Sequence, residues 1–318
     1  MSAAAAAIGV VPATAAPHTP HDDTRAKVDH LYEEAEKATE LYNKADERAD
    51  KLRKQVSDAQ DRIARQQEDI NSMRDALGSL AGAQYRSGGL DPSLALLLSD
   101  DPEDYLDRAA RIARLSAHQA HELKDLQDAM REIAQERAEA AGKLVELEKS
   151  RETVATHKRT VERKLAQARR LLNSLTASDR AAYDRASRSG RDAMPDFGSL
   201  AAPSGRAAAA IAAAHSALGK PYVWGANGPS GFDCSGLIQW SYAQAGVALP
   251  RTSQGQRYAG RQVPLSEAQP GDVVTYRSDA SHVGMYAGNG QVIHAPYPGA
   301  PVRYDPVGMM PGATITRV

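Results

Sequence analysis

Cysteine is almost absent from this chain: 318 residues contain one, Cys234, together with two tryptophans and two phenylalanines. A lone cysteine excludes an internal disulfide framework. The thiol is then either a spare group or a reactive one, and its neighbourhood has to decide. Charge of one sign is missing too, because 39 Lys and Arg stand against 40 Asp and Glu. That balance removes the usual electrostatic argument for a nucleic-acid or strongly charged partner. No apolar run beyond the N-terminal segment approaches the ~20 residues that cross a bilayer. Glycine and proline are nearly missing from residues 24–177 but frequent in 219–318, where Tyr and Val are also common. The chain is longer than one compact core needs, so two architectural parts of different character are expected.

The first 23 residues are rich in alanine and contain the small-x-small pattern Ala13-Thr14-Ala15. This reads as the apolar and cleavage parts of an export signal, or else as a disordered Ala-rich tail. An export signal also needs a basic stretch ahead of its apolar run. None is present, so the export reading carries the expectation of a start further upstream or of a trimmed chain.

From Val28 the apolar and small residues step alternately by three and four, through Ala35, Ala38, Ala45, Leu52, Val56, Ile63 and Ile70 to Leu80. A second register runs from Leu123 through Leu126, Met130, Ile133, Ala140, Leu144, Leu147, Val154, Val161 and Leu165 to Leu175. Sustained heptads specify paired helices, and the first seam alone would be about 80 Å long. Between the seams lie Gly88-Gly89, Pro92 and Pro102, so the chain is expected to reverse near 81–105 into an antiparallel hairpin. Leu94, Leu96, Leu97 and Leu98 at that tip either cap the hairpin as a short helix or form an exposed partner-binding surface. Charges such as Glu33, Glu34 and Lys37 read as solvated ion pairs. Residues 178–205, with their Ser, Gly and Pro, read as a linker.

The remaining residues, 206–318, carry chemistry. An Ala-rich helix over 206–218 ends at Gly219. A Gly-rich loop then leads into Asp233-Cys234-Ser235-Gly236, the start of a helix to Ala245. Unpaired N–H groups and the dipole at a helix start favour a thiolate, with Asp233 as N-cap. Small Ser235 and Gly236 leave room for a substrate backbone. Two strand-like runs, 281–286 and 291–295, are joined by a turn containing Asn289-Gly290, a strong hairpin signal. Such a hairpin would carry His282 and His294 on neighbouring strands facing the Cys234 helix. A thiol, an imidazole and a group orienting the imidazole are the parts of an acyl-transfer site. His215, His282, His294 and Asp233 have no close ligand spacing on one element, so neither a metal nor a cofactor is expected.

Six stretches in order, Tyr222-Val-Trp-Gly, Phe232-Asp-Cys-Ser-Gly-Leu, Leu249-Pro-Arg-Thr-Ser-Gln, Gln269-Pro-Gly-Asp-Val-Val-Thr-Tyr, Ser281-His-Val-Gly-Met-Tyr and Val292-Ile-His-Ala, together resemble the NlpC family of cell-wall cysteine peptidases. The resemblance implies a papain-like α+β domain preceded by the long antiparallel helical hairpin. It implies Cys234 as nucleophile, His282 as base and His294 as the orienting residue. Tyr222 would donate a hydroxyl near the scissile carbonyl, and Asp233, Ser235 and Ser281 would line the substrate cleft. Arg251 would either bind stem carboxylates or make structural hydrogen bonds. Trp224-Gly225-Ala226 departs from the Trp-Gly-Gly of many members, which bears on the loop turn and not on these roles.

The implied activity is that of a secreted, cell-wall-associated peptidoglycan endopeptidase cutting stem peptides between γ-linked D-glutamate and a diamino acid. The stretch Tyr85-Arg-Ser-Gly-Gly before the leucines also resembles the coiled-coil tips of division-associated hydrolases, implying a membrane partner complex of the FtsE and FtsX type. The helical hairpin is expected to place the catalytic domain or to restrain it by folding against the cleft. The rival expectation is a non-catalytic structural or regulatory division protein acting through the hairpin.

Overall fold

The computed structural model describes residues 20–86, 102–181 and 204–318. The export-signal reading over residues 1–19, the leucines of the expected tip and residues 182–203 of the expected linker lie outside the described residues. Two helices dominate the first part, α1 (Pro20–Arg86) and α2 (Pro102–Ser174). Their runs of Ala, Leu, Glu, Lys, Arg and Gln are strong helix formers. Pro102 sits at the first helical position, where its missing N–H leaves no bond unmade.

The chain gathers into two compact units that do not follow the composition boundary. One combines α1 through Ala45 and α2 from Thr153 with residues 204–318; the other is formed by 46–152. In the second unit Ile70, Leu126 and Ile133 form a buried cluster with Ile63, Met73 and Leu77 packed around it. Arg62 reaches Glu136, and Arg137 reaches Gln67 at 2.7 Å. Arg74 lies against Met130. From Arg48–Glu146 through Arg62–Glu136 to Arg74–Met130 the partner number falls along α2 as it rises along α1, so the helices are antiparallel here. In this unit the expected α2 seam is only half buried. Leu126, Ile133, Ala140 and Leu147, seven apart, are buried, whereas Leu123, Met130 and Leu144 are 49, 42 and 43% exposed. Two helices alone enclose a narrow central row, and the flanking heptad position faces water.

In the first unit the helix ends pair through Val28, Tyr32, Ala35 and Ala38 against Val161, Leu165 and Ala168. Lys164 bonds Glu34 at 2.8 Å. The C-terminal part of the same unit is an α+β domain. Its helices are α3 (Gly205–Ser216), α4 (Cys234–Gln244) and the short α5 (Ser253–Gln256). Its strands are β1 (Arg261–Val263), β2 (Val273–Tyr276), β3 (His282–Gly288), β4 (Gln291–His294), β5 (Arg303–Pro306) and β6 (Thr314–Arg317). All pairings are antiparallel, in the order β1-β6-β2-β3-β4-β5.

Strand alternation separates two apolar layers. Val273, Val283, Met285 and Ile293 face α3 and α4, meeting Ala210, Ala214, Leu237, Ile238 and Tyr242. Val274, Tyr276, Val292 and Ile315 cluster on the other face. The Tyr242 hydroxyl donates to the Gly271 carbonyl at 2.7 Å, so its polar end is satisfied inside the core. The β3–β4 turn has Asn289 at φ 52° and Gly290 at φ 71°, the left-handed geometry that an Asn-Gly hairpin requires.

The absent side chain of Gly236 serves the protein's own loop, a correction to the expectation that it opens space for substrate. A Cβ there would collide with the Ala226 carbonyl oxygen and lie 2.9 Å from the Asn227 Cα. Both contacts are backbone, so α4 would have to shift. Gly236→Ala is therefore expected to destabilise the chain by about 1–3 kcal/mol, read as a lower thermal midpoint; an unchanged midpoint contradicts the close approach.

Candidate active site

Asp233 is the hub from which the site is built. As N-cap of α4 its Oδ1 accepts the Gly236 N–H at 2.7 Å, and its Oδ2 accepts the Gly225 N–H at 3.0 Å. Helix start and glycine loop are thereby tied to one carboxylate. Arg251 donates to both oxygens, at 3.0 and 2.6 Å, and to the Ser235 hydroxyl at 3.0 Å. Of the two roles left open for Arg251, the structural one is where its guanidinium is engaged.

Cys234 follows directly, in the first turn of α4 and 1% exposed. The hairpin supplies His282 as the first residue of β3 and His294 as the last of β4. Both are buried, with rings nearly perpendicular and centroids 5.0 Å apart. His282 Nε2 lies 2.8 Å from His294 Nδ1, and His294 Nε2 lies 2.7 Å from Asp305 Oδ2. Asp305 on β5 also accepts from Arg303 Nε at 2.7 Å. A carboxylate accepts only, so His294 carries its proton on Nε2 toward Asp305, and its Nδ1 accepts from His282 Nε2. In neutral His282 the lone pair is then on Nδ1. This chain of bonds orients the His282 ring from behind.

The pKa shifts follow the same contacts. Burial depresses His294 to about 4, with Asp305 opposing and His282 adding to the fall. Burial alone would raise Asp305, but His294 and Arg303 outweigh it and hold the carboxyl below its ordinary value. Tyr222 is buried, and that burial, with Cys234 and Asp233 beside it, keeps its hydroxyl protonated far above the ordinary range. Ser281 is buried next to His282, its hydroxyl 3.1 Å from Arg277 Nη1.

Three α1 residues that the heptad reading passed over lie in this cleft: Glu36, Glu40 and Asn43, spaced four and three apart on one helix face. Glu36 Oε2 accepts from Arg277 at 2.7 Å, and its Oε1 lies 3.4 Å from His282 Nδ1. The second distance is too long for a well-formed hydrogen bond and becomes an ionic contact only when His282 is protonated. Glu40 Oε1 accepts the Ser235 hydroxyl at 2.7 Å and lies 3.7 Å from Cys234 Sγ; its Oε2 accepts the Ser253 N–H at 2.8 Å. Asn43 donates to Asp233 Oδ2 at 3.0 Å. Aromatic contacts flank the carboxylates, Tyr32 stacked on Tyr297 and Tyr42 edge-on to Trp224.

These neighbours overturn the expectation that the helix start favours a thiolate in this arrangement. Burial pushes the Cys234 thiol well above its ordinary value, and Glu40, Asp233 and Glu36 push it further, against a small opposing contribution from the Ser235 N–H. A helix terminus contributes about 0.3–1 kcal/mol, up to ~2 in favourable sites. That does not offset dehydration beside several carboxylates. Glu36 itself stays below its ordinary value because His282 and Arg277 outweigh the effect of burial. Glu40 is raised to about 7, by burial first and Asp233 second.

The sequence pattern announced only part of this constellation. The stretches around Cys234, His282 and His294 were visible as local motifs. Asp305 had only its strand neighbourhood, and Glu36 and Glu40 had the i, i+4 spacing of two acids beside an apolar stripe.

Residues 219–311 match the model of the NlpC/P60 family. A protein of Mycobacterium tuberculosis named "Probable endopeptidase" is 50% identical over 99 residues, which are 31% of this chain and 26% of that protein. One of Corynebacterium glutamicum with the same designation is 47% identical over 112 residues, 35% of this chain and 54% of that protein. The chain thus spans between a quarter and about half of these curated relatives. The solved peptidoglycan hydrolase RipB from Mycobacterium tuberculosis is 38% identical, over 35% of this chain and 64% of that one, with a TM-score of 0.32.

Because Glu40 ionises near 7 when folded, against an ordinary value of 4.5, folding takes up a proton between those values. Its contribution is fully present below about 4.5 and is lost as pH rises through about 7. Glu40→Gln stays neutral throughout. Its thermal midpoint relative to wild type should rise between pH 5 and pH 8, and parallel pH profiles would contradict the assignment.

Proposed function

From the premise that the C-terminal region is an NlpC/P60 domain, we propose that the chain is a peptidoglycan hydrolase, a cysteine endopeptidase held at rest by α1. The observation that carries this reading is the ordered His282–His294–Asp305 chain together with two α1 carboxylates that engage the expected nucleophile and base, Glu40 at the Cys234 sulfur and Glu36 at His282 Nδ1. The relatives' names, endopeptidase and peptidoglycan hydrolase, support the substrate class.

In the working cycle His282 Nδ1 takes the Cys234 proton, and the thiolate attacks the carbonyl carbon of a wall-peptide bond. The Cys234 N–H at the helix start and the Tyr222 hydroxyl receive the developing oxyanion. His282 returns its proton to the leaving amine, giving a thioester. Water, deprotonated by His282, then attacks the thioester and regenerates the thiol. His294 and Asp305 keep the imidazole in the tautomer that both half-reactions need. The bond cut is the one between γ-linked D-glutamate and the diamino acid, outside the cytoplasm. Ser235 and Ser281 border the cleft.

Restraint by α1 follows from what its carboxylates occupy. Glu36 stands at the nitrogen that must accept the thiol proton, and Glu40 binds donors beside the sulfur. Activity then requires α1 to leave, which a partner acting on the helical hairpin, such as a membrane complex of the FtsE and FtsX type, would bring about. The buried, high-pKa thiol is also what a non-catalytic division protein would carry, and one experiment separates the two readings.

Charge reversal at Glu36→Lys and Glu40→Lys puts cations against Arg277 and Arg251. The full chain carrying both should release soluble muropeptides from purified peptidoglycan at least about ten-fold faster than wild type, one factor of ten being about 1.4 kcal/mol. Adding Cys234→Ala should abolish the release, and mass spectrometry should find cleavage after γ-D-glutamate. No release by the reversed chain would favour the non-catalytic reading, and cleavage at another bond would remove the endopeptidase assignment.

A further inference from the structure

The near-neutral total charge hides one uneven stretch. Residues 157–170 of α2 carry six Lys and Arg and a single acid, Glu162. Earlier in the helix the charges are matched: Lys124 and Arg131 meet Asp128, Arg151 meets Glu148, and Arg48 of α1 meets Glu146. Within 157–170 only Lys164 is so paired among the described residues, with Glu34. Lys158, Arg159, Arg163, Arg169 and Arg170 are all exposed. Of these, Arg159 reaches the neutral Thr156 hydroxyl at 3.4 Å, and none has a carboxylate within ion-pair distance among the described residues.

Helical spacing arranges the five into two lines. Arg159, Arg163 and Arg170, four and seven apart, form one about 16 Å long, on the side of α2 opposite Val161, Leu165 and Ala168, which are buried against α1. Lys158 and Arg169 form the other, about a third of a turn away. Because the apolar face is already used on α1, the outer face attracts through charge alone. It is convex and encloses nothing, so a small anion would meet one or two side chains at a time. A plane of anionic groups meets both lines together, since Lys and Arg turn on flexible stems, whereas a single linear polyanion follows one line. The neighbouring segments supply no excess of acid to cover it: residues 1–19 contain none, and 182–203 hold three Asp against three Arg.

We propose that this face of α2 docks on an anionic lipid bilayer, through the field of the charged headgroups and without insertion. Each cation near such a surface contributes a factor of about five in partitioning. Neutralising the three arginines of the outer line therefore costs about a hundred-fold. The attraction is screened over about 8 Å at physiological ionic strength, so it fades as salt rises. It uses none of the groups in the catalytic cleft.

The test is sedimentation of the full chain with vesicles of phosphatidylcholine mixed equally with phosphatidylglycerol, and with vesicles of phosphatidylcholine alone. Wild type should bind the mixed vesicles, leave them in high salt and ignore the neutral ones. Arg159→Gln, Arg163→Gln and Arg170→Gln together should weaken binding about a hundred-fold with helicity unchanged by circular dichroism, whereas Arg159→Lys, Arg163→Lys and Arg170→Lys together should keep most of it. Neutralising three paired cations instead, Lys124→Gln, Arg131→Gln and Arg151→Gln, makes the same change in net charge and should weaken binding less than about five-fold. No binding to the mixed vesicles, equal binding to the neutral ones, or equal losses from the two neutralised variants would each overturn the proposal. Capture of long-chain polyphosphate without vesicle binding would assign the face to a linear polyanion instead.

Discussion

Two carboxylates from α1, Glu36 and Glu40, meet the sulfur, the imidazole and a guanidinium of the C-terminal domain inside one dry cleft, and the chemistry of every group there is set by that meeting. Glu36 is ionised because Arg277 and His282 outweigh its burial. Glu40 accepts from the neutral Ser235 hydroxyl and Ser253 N–H and is raised to about 7. The thiol, surrounded by acids and shielded from water, is raised as well. The same atoms that would move protons during catalysis are thereby engaged in holding a helix. The contact is self-limiting, because several buried charges are satisfied only while each partner stays.

Behind that meeting the domain is over-determined. Asp233 ties the glycine loop, the α4 start, Arg251 and Asn43 to a single carboxylate. The packing of α4 on Val283, Met285 and Ile293 fixes the helix against the strands that carry both histidines. Asp305 completes the order from a third strand. A site held this way keeps its geometry when α1 is removed, since none of these bonds except that from Asn43 comes from α1. Restraint and catalysis in the proposed account thus draw on separable contacts.

How far the sequence revealed this depends on the range of the interactions. Local chemistry was legible: Asp233 reads as an N-cap, Asn289-Gly290 as a hairpin turn, and the three-four periodicity as paired helices. The reason for Gly236 is a backbone approach from Ala226 that no local pattern announces. Periodicity in α2 states which residues share a face and not how wide the facing surface is, so Leu123, Met130 and Leu144 keep the heptad step yet stay half exposed. Glu36 and Glu40 were invisible as site residues for a different reason. On an Ala- and Glu-rich helix an acid is ordinarily solvated, and only tertiary packing distinguishes two buried acids from the many exposed ones. Asp305 and Arg277 likewise acquire meaning only from the strands and turn that bring them to His294 and Ser281.

The central claim is that α1 leaves Cys234 buried and protonated until the helix is displaced. The chain has one cysteine, so alkylation by iodoacetamide reports on that thiol alone. In the intact chain between pH 6 and pH 8 the account predicts a rate about a hundred-fold or more below that of an exposed cysteine, whose ordinary pKa is about 8.5. Labelling at the exposed rate, or a profile with an apparent pKa below 7, would mean that the thiol is reachable and activated at rest and would contradict the account.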